Sequence, residues 1–198
     1  MRRIAPLLLA CLVAPLLSGC FSLAAVGIAA GGMGAALMAD DRRTTGIYVE
    51  DENIEWKSLA RISRQFSGAH VNATSFNRKV LLTGEAPTEE MKKGIEEAVK
   101  AVDSVREIAN EIVVGGNASL TSRGNDSLIT SNVKTRMLGN GLFSPNHVKV
   151  VTEAGSVFLM GLVTPAEGDA AVDVARSTSG VSRVVKVFEY LPASAPRT

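Results

Sequence analysis

The chain has 198 residues, with 21 lysines and arginines against 20 aspartates and glutamates, and only 5% aromatic residues. That length allows one or two domains, and the balanced charge with few aromatics argues against a nucleic-acid partner. Both cysteines, Cys11 and Cys20, fall in the first twenty residues, so the body holds no thiol for a disulfide, a zinc site or a nucleophile.

Arg2 and Arg3 form a short positive start, and residues 4–17 are uncharged and mostly apolar. This is the order of a secretory signal. It ends in Leu17-Ser18-Gly19-Cys20, which resembles the bacterial lipobox. The resemblance implies cleavage before Cys20 and acylation of its sulfur, with Cys11 discarded. Residues 21–39 carry no charge, close to the length of a membrane span. They are rich in glycine and alanine, and Gly31-Gly32-Met33-Gly34 would weaken a helix, so they read as a tether. No strand precedes the glycines of 27–34, which excludes a nucleotide-binding loop. Asp40-Asp41-Arg42-Arg43 ends the tether, and Thr44-Thr45-Gly46 reads as a polar connector.

A first helix follows. Ile54, Leu59, Ile62 and Phe66 fit one side, with Trp56 at its edge as a core or interface residue. Glu50, Asp51 and Glu52 mark its start, where the helix dipole favours negative charge, and Gly68 marks its end. Val71 to Phe76 reads as a strand, Asn77-Arg78 as a turn, and Val80-Leu81-Leu82-Thr83-Gly84-Glu85-Ala86 as a second strand. After Pro87, Met91, Ile95, Ala98, Val99 and Val102 form the stripe of a second helix. Residues 105–114 read as a closing strand.

The segment 115–125 has linker composition. Asp126 or Ser127 caps a helix to about Leu138, with Ile129, Val133, Met137 and Leu138 facing the core. Strands at about 147–152 and 156–163 flank the turn Ala154-Gly155. Pro165 starts a helix to about Thr178, 181–190 is a strand, and 192–198 is a tail.

The two halves are copies. Val157-Phe158-Leu159-Met160-Gly161-Leu162-Val163 repeats the pattern of residues 80–86, and His70-Val71 recurs as His147-Val148 at the same offset of 77 residues. Glycine in mid-strand marks a bulge or a close backbone approach, so Gly84 and Gly161 read as structural signatures. The histidines occupy equivalent sites without clustered ligands, which favours structure over metal binding. The fold class is α+β: two tandem α-β-β-α-β modules, each with two helices on a three-stranded mixed sheet. The expected divisions are signal 1–19, tether 20–47, module 48–114, linker 115–125, module 126–191 and tail 192–198.

A lipobox followed by two modules with Val-x-Leu-x-Gly-x-[Val/Ala] strands resembles the dual BON-domain lipoproteins. That resemblance implies a non-enzymatic protein, lipid-anchored at Cys20 to the inner leaflet of the outer membrane and facing the periplasm. It implies binding of anionic phospholipid through the first helix of the second module, a part in envelope integrity and presence at division sites. Outer-membrane protein assembly is the alternative partner, and no cofactor or metal is implied. On that helix Leu128, Ser131, Asn132 and Thr135 lie outward, with Lys134 and Arg136 flanking them toward phosphate groups. The resemblance also implies a tryptophan at the position that Leu128 holds here. The first module has 9 basic and 11 acidic residues over 51–114 and the second 6 and 6 over 126–190, so the first is the poorer match for anionic lipid. No nucleophile–base pair, metal cluster or phosphate loop supports an enzyme.

Overall fold

A computed structural model describes residues 41–116 and 120–192. The signal peptide, Cys20, the tether up to Asp40 and the tail from 193 lie outside the described residues. The elements are α1 (Thr45–Gln65), β1 (His70–Phe76), β2 (Lys79–Ala86), α2 (Glu89–Lys100), β3 (Glu107–Asn110) and β4 (Val113–Val114) in the first module. The second holds α3 (Leu120–Leu138), a 3₁₀ turn at Pro145–His147, β5 (Val148–Glu153), β6 (Ser156–Val163), α4 (Pro165–Arg176) and β7 (Arg183–Tyr190).

In both modules an antiparallel hairpin feeds a parallel crossover through a helix. β2 pairs antiparallel with β1 and parallel with β3 and β4. β6 likewise pairs with β5 and β7. Each module is therefore two helices on a mixed sheet, the α+β arrangement the repeat implied. One expected strand differs: residues 105–114 form two pieces, because Ile112 turns into the core after the Glu111 N–H has bonded the Leu82 carbonyl at 2.9 Å. The copy in the second module, β7, is continuous over eight residues.

Period-two alternation assigns the faces. Val80, Leu82 and Ala86 pack beneath Ile54, Ile62, Ile95 and Val99. Val157, Leu159 and Val163 pack beneath Ile129, Val133, Met137, Ala171 and Ala175. The intervening residues face the other way and meet each other: Leu81 and Phe76 join Phe158, Met160 and Val187 in a third buried cluster. The two sheets are thus back to back, with α1 and α2 outside one and α3 and α4 outside the other. Burial on both faces explains why β2 and β6 read as nearly unbroken apolar runs. Each fully buried side chain of this size contributes about 1.5–3 kcal/mol relative to exposure, so the shared cluster makes the modules one body. Lys149 with Glu55 at 2.6 Å, Asn77 with Glu189 at 3.1 Å, and an Arg106–Glu189 ion pair bridge its rim.

Helix starts depart most from expectation. α1 begins at Thr45, capped by Thr44, whose Oγ1 accepts the Ile47 N–H at 3.3 Å. Thr44-Thr45-Gly46 is therefore cap and first turn, not connector. α3 begins at Leu120, so 120–125 is helix rather than linker. Asp51 and Asp126, taken as start signals, are buried mid-helix and serve the hairpins. Asp51 accepts the N–H groups of Asn77 at 2.8 Å and Arg78 at 2.7 Å. Asp126 accepts those of Ala154 at 2.9 Å and Gly155 at 2.8 Å. All four turn residues have positive φ, 53° and 65° in one module, 48° and 73° in the other. This is the twist a two-residue hairpin needs and non-glycine residues resist. The carboxylates hold it in place.

Candidate functional site

The roll of α3 determines which side chains it offers. Asp126 on the hairpin turn, Ile129, Val133 and Met137 in the core, and the Thr130 hydroxyl at 2.7 Å from that of Thr152 fix its inner face. Leu128 is left 65% exposed. Ser131, Asn132, Lys134, Thr135 and Arg136 are also exposed. These residues are not equivalent. Arg136 donates to the Ser177 carbonyl at 2.7 Å and hydroxyl at 2.9 Å, tying α3 to the end of α4. The Thr135 hydroxyl turns back to the Ser131 carbonyl at 2.9 Å. Lys134 makes no ion pair among the described residues.

Leu138 was expected in the core and is instead 73% exposed. The stripe through residues 129, 133 and 137 leaves position 138 about 100° round the helix from Met137. Phe143 fills the core there. Leu142, one residue past Gly141 at φ 66°, is 60% exposed. The face thus has apolar residues at both ends, Leu128 at one and Leu138 with Leu142 at the other. Its sole acidic helical residue among those described, Asp126, is buried. Trp56, expected in a core or interface, projects from α1 at 72% exposure.

Two arginines just past the tether were the least expected contributors. Arg42 makes a bidentate pair with Glu167, 2.8 and 2.9 Å, and donates to the Leu162 carbonyl at 2.8 Å. Glu167 also closes the capping box of α4 with Thr164. Arg43 pairs with Asp41 and Asp51, the latter at 2.9 Å, and lies 4.0 Å over the Phe76 ring. One arginine therefore grips each module. Residues 42 and 43 are thus held where the two modules meet. For Arg43, burial disfavours the charge, but its bonds to Asp41 and Asp51 outweigh that and raise its pKa.

For Glu167, burial opposes ionisation, yet Arg42 and the Thr164 donors prevail and hold its carboxyl at about 2 instead of 4.5. A depressed carboxyl stabilises the fold above its unfolded pKa and ceases to do so as pH falls through the folded value. The contribution is thus complete above about pH 4.5 and lost toward pH 2. Arg42→Ala should cost about 3 kcal/mol at neutral pH, since it strips a nearly buried carboxylate of its cation. It should also flatten the fall in stability across that acid window. Urea denaturation at a series of pH values measures both effects; an unchanged acid limb would show that Arg42 does not control Glu167.

Gly84 and Gly161 contribute space rather than a surface. A Cβ at Gly84 would sit 2.1 Å from the His70 carbonyl oxygen, and one at Gly161 would sit 2.3 Å from that of His147. The recurrence of His-Val and glycine at one offset reflects this crossing of backbones. The contact uses the carbonyls, not the imidazoles. The His70 Nδ1 lies 3.8 Å from Glu85 and that of His147 4.0 Å from Glu167. Among the described residues no group of three or more His, Cys, Asp or Glu could hold a metal ion. No helix among them is long and apolar enough to cross a membrane.

Two helix-covered mixed sheets of this connectivity define a class. The BON domain model matches residues 50–116 and 125–192, and the chain belongs to the BON-domain family. It is 39% identical over 178 residues to "Outer membrane lipoprotein DolP" of Haemophilus influenzae, covering 88% of this chain and 90% of that one. It is 37% identical to "21 kDa hemolysin" of Actinobacillus pleuropneumoniae, over 76% and 79% of the two chains. It is 24% identical to "Osmotically-inducible protein Y" of Escherichia coli, over 70% and 72%. Two BON domains and likeness along most of the chain place it with the DolP type.

Proposed function

We propose that this protein is a non-enzymatic outer-membrane lipoprotein, anchored through Cys20 and facing the periplasm, whose α3 face rests on anionic phospholipid. Its role on this reading is to support envelope integrity, with division sites as the place of action. The observation that carries the lipid contact is the composition of the exposed α3 face. Leucines at both ends, small polar residues between them, Lys134 available and no exposed acid suit a negatively charged interface. The name of the DolP relative supports the compartment.

Magnitudes divide the labour. An inserted leucine gains about 1.5–3 kcal/mol, too little to hold a protein on a bilayer. Acyl chains gain about 0.8 kcal/mol per buried CH₂ and supply the anchor. The helix then orients the body, and tethering makes its weak contact effective through local concentration. Leucine at 128, lacking an indole N–H, makes this contact weaker than tryptophan would.

The unit from Asp40 to Thr198, lacking the anchor, isolates the contact. It should float with vesicles containing phosphatidylglycerol and much less with phosphatidylcholine alone. Leu128→Glu should reduce the bound fraction about tenfold, as loss of roughly 1.5 kcal/mol requires. Equal flotation of wild type and Leu128→Glu would sink the assignment to α3.

A further inference from the structure

The α1 face differs from the α3 face in kind. Trp56 stands at its centre, with Val49 at 53% exposure two turns before it on the same side. Beside the indole a shallow hollow of about 320 Å³ is lined by Trp56, Lys57, Arg61, Arg64 and Asp103. Three cations and one carboxylate surround it. Lys57 reaches Asp103 at 3.4 Å in an exposed pair, which holds it only lightly. Arg61 donates to the Ala98 carbonyl at 2.9 Å and is fixed at the floor. Arg64 is exposed and makes no ion pair among the described residues.

We propose that this Trp56–Arg64 hollow docks an acidic segment of a partner protein, its carboxylates against Lys57, Arg61 and Arg64 and an apolar side chain against the indole. Exposed tryptophan beside arginine is the composition of an interface hot spot. Complementary charge supplies steering and specificity. An anionic bilayer fits poorly. Glu52, one turn before Trp56, is exposed, and Asp103 is 88% exposed at the hollow's edge, so a flat negative surface that reached the indole would meet both. A segment of a protein can instead place its acids over the cations alone. The back-to-back sheets also put α1 on the outside opposite α3, so a bilayer under α3 leaves the hollow in water. The proposal stands on the α1 surface itself and survives if α3 proves not to bind lipid.

Trp56 is the sole tryptophan of the chain, so indole emission reports this site alone. The full chain in phosphatidylcholine vesicles is titrated with a synthetic glutamate-rich peptide carrying interspersed leucines. A lysine-for-glutamate peptide is the control. The expected result is a saturable blue shift with the acidic peptide, weakened by salt and absent with the basic one. Arg64→Glu should weaken it about tenfold with the circular dichroism spectrum unchanged. No saturable shift, or the same shift with both peptides, overturns the proposal. So does a blue shift produced by adding phosphatidylglycerol to the vesicles without peptide, which would make the face a membrane contact. Flotation of Leu128→Glu reports separately on α3.

Discussion

Gly84→Ala should destabilise the protein by about 4 kcal/mol or more, close to the upper end for single substitutions. Two costs combine at that position. The new methyl would sit 2.1 Å from the His70 carbonyl oxygen, and its obstacle is backbone, which cannot swing aside as a side chain can. The residue also has φ 109°, a conformation that a Cβ disfavours. Gly161→Ala meets the same obstruction at 2.3 Å without the positive φ, and should cost about 1 kcal/mol less. Gly68→Ala separates the terms: φ is 96° but nothing lies within 4 Å of the added carbon. It should cost only about 1 kcal/mol. Urea denaturation followed by circular dichroism ranks the three. A Gly84→Ala protein no less stable than Gly68→Ala would refute the role of the backbone crossing. The effect should also reach the other module, because Leu81, three residues before Gly84 on the same strand, sits in the cluster the two sheets share.

Strands β2 and β6 were legible because period two, the glycine and the repeat all agree. The stripe of α2 was legible because Met91, Ile95 and Val99 recur with no competing signal. What the sequence hid is mostly a matter of two meanings for one residue. An aspartate near the start of an apolar stripe reads as a cap, yet Asp51 and Asp126 each reach a turn more than 25 residues on. A signal was available: Asp51, Ile54 and Ile62 align with Asp126, Ile129 and Met137 at an offset of 75, not the 77 of the strands. The acids therefore belong to the repeated core pattern rather than to the helix ends. Arg42 and Arg43 were invisible for another reason. A polar run after a tether looks like connector, and only the packed sheets bring Glu167 within reach of Arg42. The exposed positions of Trp56, Leu59 and Leu138 were misread because hydrophobicity predicts burial, and exposed apolar side chains break that rule.

Asp51 joins the first hairpin to the segment before α1. It accepts the Ser75 hydroxyl at 2.6 Å, the N–H groups of Asn77 and Arg78, and the Arg43 guanidinium at 2.9 Å. Asp51→Ala leaves all four donors facing a buried void and deprives Arg43 of one of its two anions. The expected cost is about 3–5 kcal/mol, most of it the penalty of unpaired buried groups. Asp126 performs the same turn-holding task for the second hairpin, so Asp126→Ala should also destabilise, by about 1–3 kcal/mol. A double-mutant cycle on Asp51→Ala and Arg43→Ala, measured by urea denaturation, should return a coupling of about 1–3 kcal/mol. A coupling near zero would mean that Asp51 acts on the hairpin alone and that Arg43 is held by Asp41 and the Phe76 ring. In that case the tether root would be joined to the first module only through its own segment and an aromatic face. The hold on this segment would then rest on Arg42 and Glu167 in the second module.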